Sequence, residues 1–193
     1  DFYLPLGAVP VEGYLTMDYL TPAEAMKMEY VPMAPGTKWG KTWQYCWMRG
    51  KVTLPPEAQG KRIVMDLATG YETTVFVDGV SFGTYRSDWV RIPHHYLVDN
   101  YITKSGEAGR TYELLMEAYA GHHIGESPLG GCATGPVLPG AYQDTKIEGQ
   151  RQTLGNITYG IWNEDAYQLF MDMDTLKQLL EEIDENSLRG DKI

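Results

Sequence analysis

Apolar positions along the chain follow two different rhythms. Between residues 39 and 161 they alternate every second position in short runs, whereas from 162 onward they recur at steps of three and four. The first rhythm belongs to strands with one buried face and the second to a helix with one apolar stripe. The segment 42–54 is rich in Trp, Tyr, Val and Thr and closes at Pro55-Pro56, which predicts a strand. Residues 63–68 place Ile63, Met65 and Leu67 on one face and Asp66 on the other. Segments 73–77 and 80–85 flank Asp78-Gly79, a strong hairpin signal, because a two-residue turn needs positive φ and Gly supplies it. A short strand is predicted at 89–92, closed by Pro93. A longer one at 111–119 lines up Tyr112, Leu114, Met116 and Ala118. A loop rich in Gly and Pro follows over 121–140, and a last strand pair is predicted over 142–161. Short strands separated by turn signals, with no helices between them, predict an antiparallel β-sandwich rather than a parallel α/β sheet.

The two ends read differently. Pro5, Pro10, Pro22, Pro32 and Pro35 interrupt residues 1–38 and predict an irregular N-terminal arm lying over the body. Within it, Thr21 can cap a short helix over 22–28, with Pro22 in its first turn. Residues 162–193 predict a C-terminal amphipathic helix. Its stripe is Leu169, Met173, Leu176, Leu180 and Ile183, widened by Phe170 and Leu179. Asn163 is the expected N-cap, Glu164 and Asp165 suit the first turn, and Gly190 is a stop signal. Such a stripe ordinarily packs on the core of its own domain. The stripe has no evident partner in the rest of this sequence, so docking on further protein is the alternative. The expected organisation is an arm at 1–38, a sandwich at 39–161, and a helix at 162–193 leading towards further protein.

Charge narrows the function classes. A formal net charge of −10 argues against nucleic acid and against a polybasic membrane contact. No apolar run approaches the roughly 20 residues that span a bilayer. Two cysteines, Cys46 and Cys132, form neither a zinc pattern nor a disulfide framework, which suggests a reducing compartment and a cytoplasmic protein. With 5 Trp and 14 Tyr, the aromatic content either furnishes the sandwich or supplies plates on which sugar rings stack.

Few residues group into a chemical site. Glu72, Asp78 and Asp88 are the acids best placed for a concave surface, but no spacing singles out the close carboxylate pair of a retaining glycosidase. The doublets His94-His95 and His122-His123 cannot each chelate a metal, since strand neighbours point to opposite faces. Cys46 lacks a basic neighbour that would activate it. No phosphate loop and no nucleophile elbow is present. One cluster remains: Tyr71, Glu72, Arg86, Asp88 and Trp89 combine aromatic plates with planar polar groups. That composition suits a sugar ring or a domain interface, and the enrichment of Trp, Tyr and Arg at interfaces favours the latter.

The run Trp43-Gln44-Tyr45-Cys46-Trp47-Met48-Arg49-Gly50, followed by Val52-Thr53-Leu54-Pro55, Gly60-Lys61, Val75-Phe76-Val77-Asp78-Gly79 and Gly83, resembles the galactose-binding-like jelly-roll domains attached to many glycoside hydrolases. With the segments from Tyr112 to Gly121 and from Trp162 through Asn186-Ser187-Leu188-Arg189, it resembles, over about 39–193, the N-terminal region of bacterial-type α-mannosidases of glycoside hydrolase family 38. The resemblance implies a non-catalytic accessory domain of a retaining exo-mannosidase. That family's catalysis lies in a (β/α) barrel that binds zinc or another divalent metal and carries an aspartate nucleophile. It implies no catalytic residue and no cofactor in this chain, with the barrel of the same polypeptide as partner and mannose-containing oligosaccharides as a further one. An independent carbohydrate-binding module, or an accessory sandwich of another glycosidase, is the competing expectation.

Overall fold

The computed structural model describes residues 2–41, 43–85, 101–121 and 152–183. Three antiparallel sheets organise them. The larger sheet has six strands, built around β5 (Tyr45–Thr53) and β10 (Thr111–Tyr119). On one side of this pair lie β2 (Val11–Thr16) and then β3 (Val31–Met33). On the other lie β7 (Thr73–Val77) and β8 (Val80–Tyr85). The second sheet has four strands in the order β1 (Tyr3–Ala8), β12 (Thr158–Trp162), β6 (Ile63–Asp66) and β9 (Tyr101–Thr103). A two-stranded ladder joins β4 (Lys38–Trp39) to β11 (Gln152–Thr153).

The period-two readings are realised as strands whose inward positions meet between the sheets. Met48, Val52, Val75, Leu114 and Met116 from the six-stranded sheet share one core cluster with Ile63, Met65, Ile102 and Tyr159 from the four-stranded sheet. This is a sandwich core, formed because side chains alternate between the two faces of each strand. The predicted hairpin forms with Asp78 at φ 49° and Gly79 at φ 79°, a primed turn whose twist matches its strands. The Asp78 carboxylate also accepts from the Glu113 amide at 2.9 Å, tying the turn to the start of β10.

The arm at 1–38 is not irregular. It carries β1 and β2 as full sheet members and β3 as an edge. Its prolines fall where a missing N–H costs little: Pro5 lies on edge strand β1, Pro32 on edge strand β3, and Pro10 between β1 and β2. Pro22 opens helix α1 (Pro22–Ala25), shorter than the 22–28 expected, with a complete capping box between Thr21 and Glu24. The strand over 63–68 stops at Asp66, and Val64 is buried as well, because both faces of β6 are covered. The predicted strand at 89–92 and the segment 142–151 lie outside the described residues.

Each sheet also has a covered outer face. Trp47 and Leu115, on the outer side of the six-stranded sheet, pack with Ala25 and against Tyr14, Leu20, Tyr30 and Phe76. The chain around α1 thus straps the middle of this face. On the four-stranded sheet, Val64 and Trp162 bury Tyr167 of helix α2 (Glu164–Glu182), with Phe2, Tyr3, Tyr101 and Met171 around them. Phe2 sits 5.6 Å, centroid to centroid, from both Trp162 and Tyr167 in edge-to-face contacts. Asn163 caps α2 by accepting from the Ala166 amide, as its side chain predicts. Glu164 fixes the first turn: it accepts from the Trp162 indole at 2.6 Å and from Gln168 at 2.8 Å, and pairs with Arg62 at 3.2 Å. Gly190 lies outside the described residues, within which α2 ends at Glu182.

Three outcomes follow from this packing. The Trp39 indole donates to the Thr69 carbonyl at 2.9 Å, whereas the equally buried Trp47 indole has no hydrogen-bond partner among the described residues. Urea unfolding is expected to show Trp39→Phe costing about 1 kcal/mol more than Trp47→Phe, because only the former leaves a buried carbonyl unpaired. Tyr167→Ala is expected to cost about 3 kcal/mol and to release α2, seen as faster amide exchange over 164–182. The Gln168 and Trp162 hydrogen bonds, and then the Arg62 charge, hold the Glu164 carboxyl below the ordinary range. Its contribution is therefore present above the unfolded-state pKa and lost as pH falls through the folded one. Acid titration should loosen the first turn of α2 in the wild type, and Glu164→Gln should remove that step.

Candidate functional site

Of the five residues grouped from sequence, the structure places Tyr71 and Glu72, while Arg86, Asp88 and Trp89 lie outside the described residues. Tyr71 and Glu72 occupy the connection from β6 to β7, which turns at Gly70 with φ 119°. Thr69 and Thr73 clamp it through a 2.6 Å hydroxyl contact, and Thr73 also donates to the Tyr71 carbonyl at 3.0 Å. The Glu72 carbonyl accepts from the Tyr119 amide at 2.8 Å, so this turn is fastened to the end of β10. Both side chains are half-buried. The other acids considered divide between roles: Asp78 serves the hairpin turn, and Asp88 lies outside the described residues. The two His doublets and Cys132 lie outside them too.

No nucleophile or metal cluster is assembled in what is described. Cys46 is a free, buried thiol, and burial pushes it up to about 12, far from a reactive thiolate. Among the described residues no group of three or more His, Cys, Asp or Glu side chains could hold a metal ion. No helix among them is long and apolar enough to cross a membrane.

Two surfaces stand out instead. The first is the far side of α2. At about 100° per residue, Tyr167 and Met171 point to the sheet and the predicted stripe lies opposite them. Leu169 and Met173 are 63% and 61% exposed, and Phe170, Leu176, Leu179 and Leu180 are also exposed. Ile183, the last member of the predicted stripe, is the C-cap and is half-buried. The helix therefore docks by a short aromatic patch and presents its main apolar face outward.

The second is an open groove of about 790 Å³ on the outer face of the six-stranded sheet, beside the α1 strap. Leu115 and Phe76, register partners on β10 and β7, contribute to its lining along with Met26 and Pro32. Two ion pairs border it: Arg49 with Glu12 at 2.8 Å and Lys51 with Glu113 at 2.7 Å. Arg49 also lies over the Tyr30 ring, 4.3 Å from its centroid. Sequence reading missed this groove. The alternation in β5 marks Arg49 and Lys51 as outward, but only the register shows that each meets an opposite charge on a neighbouring strand. Further along the same face, burial raises the Glu117 carboxyl, which stands across from Trp47 and Thr74.

Comparison with known proteins adds a family. The model described as "Alpha-mannosidase, jelly roll domain" matches residues 8–153. The match starts within β1, well before residue 39, and ends with β11, ahead of α2. No curated protein matches the chain. Among solved structures, a β-glucuronidase from Ruminococcus gnavus in complex with C6-substituted uronic isofagomine aligns at 12% identity and TM-score 0.46, over 82% of this chain and 28% of that one. Faecalibacterium prausnitzii β-glucuronidase aligns at 15% identity and TM-score 0.46, over 83% and 31% respectively. The chain thus spans about three tenths of the length of these structures. The two-sheet architecture and the matched span agree: the chain belongs to the alpha-mannosidase jelly roll domain family.

Proposed function

We propose that this chain is a non-catalytic accessory domain of a retaining α-mannosidase, and that the outward apolar face of α2 docks on the catalytic domain of the same polypeptide. Glycoside hydrolysis then belongs to the full-length enzyme, as does the zinc or other divalent metal. The buried, unreactive thiol of Cys46 is compatible with a cytoplasmic setting. The observation that carries the reading is the orientation of α2. A helix already anchored through Tyr167 and Met171 has no need of a second apolar face, yet Leu169, Met173 and Leu176 form one and stand exposed. A contiguous exposed apolar patch of this kind is the usual mark of an interface. Tyr71 and Glu72 contribute, with Arg86, Asp88 and Trp89, a second candidate contact with the catalytic domain.

The triple substitution Leu169→Ser, Met173→Ser and Leu176→Ser separates docking from folding. In the isolated chain each change is expected to alter stability by no more than about 0.5 kcal/mol, as surface substitutions do. In the full-length enzyme the same changes are expected to expose the junction to limited proteolysis and to lower mannosidase activity. The 193-residue chain alone is expected to show no turnover of aryl α-mannosides. Zinc-dependent turnover by the chain alone would overturn the accessory role, and unchanged proteolysis of the triple variant would overturn the docking face.

A further inference from the structure

The groove beside the α1 strap has the dimensions and chemistry of a ligand site. Its volume of about 790 Å³ falls within the ~300–1,000 Å³ typical of small-molecule sites. It is separate from α2, which packs on the other sheet. Apolar side chains from three elements line it: Leu115 and Phe76 from the sheet, and Met26 from beyond the end of α1. Its polar groups come as two ion pairs of opposite internal sign, Glu12 with Arg49 and Lys51 with Glu113.

That arrangement selects among ligand classes. An anion or a cation gains from one member of each pair and is repelled by the other, so the groove offers no net field to a charged ligand. A purely apolar occupant would rest on the floor but offer no hydrogen bond to the charged pairs at the border. A neutral polyol does neither. Its hydroxyls donate to Glu12 and Glu113 and accept from Arg49 and Lys51, while the C–H face of a pyranose ring rests on Phe76 and Leu115. We propose that this groove, bounded by the Glu12–Arg49 and Lys51–Glu113 pairs over a Phe76–Leu115 floor, is a binding site for a short neutral saccharide. The site deepens the glycosidase reading by giving the domain a ligand contact of its own, yet it stands on the groove and is independent of how α2 docks.

The test uses the whole chain with mannobiose, maltotriose and cellotriose as probes, followed by calorimetry and by amide chemical shifts. Binding is expected for at least one probe with Kd of about 1 mM, a few kcal/mol in all. Shifts should centre on the residues around Arg49, Phe76 and Glu113. Ala23→Trp places a large ring into the groove from an exposed position and is expected to weaken binding at least tenfold. The paired change Lys51→Ala with Glu113→Ala removes one exposed ion pair, which contributes little to the fold, and is expected to weaken binding at least threefold. No heat and no shift with any probe at about ten times that concentration would overturn the site. So would binding that both variants leave unchanged, or shifts centred away from the groove. A failure here leaves the α2 proteolysis result untouched, so the two proposals fall separately.

Discussion

The pairing of β5 with β10 constrains everything else in the molecule. Its register runs without interruption from Thr111 opposite Thr53 to Tyr119 opposite Tyr45. Because side chains alternate, this one ladder sorts the residues of both strands into two sets. Cys46, Met48, Val52, Leu114, Met116 and Ala118 turn inward and form the centre of the core. Trp47, Arg49, Lys51, Glu113, Leu115 and Glu117 turn outward. A slip of one residue would exchange the sets, placing Arg49 and Lys51 in the core and Met48 and Met116 in water. The cost of that exchange fixes the register, and the register places the groove and its ion pairs.

The two outer faces are finished by the chain's end regions, in different ways. On the six-stranded sheet the segment around α1 crosses the middle, burying Trp47 under Ala25 and leaving room beside itself. On the four-stranded sheet α2 is fastened at its first turns by Phe2, Trp162 and Glu164, and the rest of the helix rides outward. The covering is partial in both cases, and each partial cover leaves the surface that carries a functional reading. One is a concavity with paired charges, the other a convex apolar ridge.

Local patterns in the sequence announced much of this. The Asp78-Gly79 hairpin, the strand at 111–119, the Thr21 cap and the Asn163 cap all follow from side-chain chemistry confined to a few neighbouring residues. The α2 stripe was legible for the same reason, although periodicity could not show that it stands exposed rather than against the sandwich. What local patterns could not show was anything dependent on partner strands. Prolines at 5, 10 and 32 read as breakers because nothing in their neighbourhood shows that they sit at edges and connections. The outward row of Glu12, Arg49 and Leu115 joins three strands far apart in sequence, so the groove appears only when the ladders are known. Of the predicted cluster, Tyr71 and Glu72 are held by the Thr69–Thr73 clamp, a contact no spacing rule encodes.

The bond from the Trp162 indole to Glu164 gives the molecule a built-in optical gauge. An indole whose N–H is held by a carboxylate, packed edge-on against Phe2 and close to Tyr167, emits from a fixed and unusual environment. Trp39 and Trp47 are sealed inside other parts of the fold and have no contact with α2. The emission of Trp162, one of five Trp in the chain, therefore changes when the helix leaves its seat, without any label being attached.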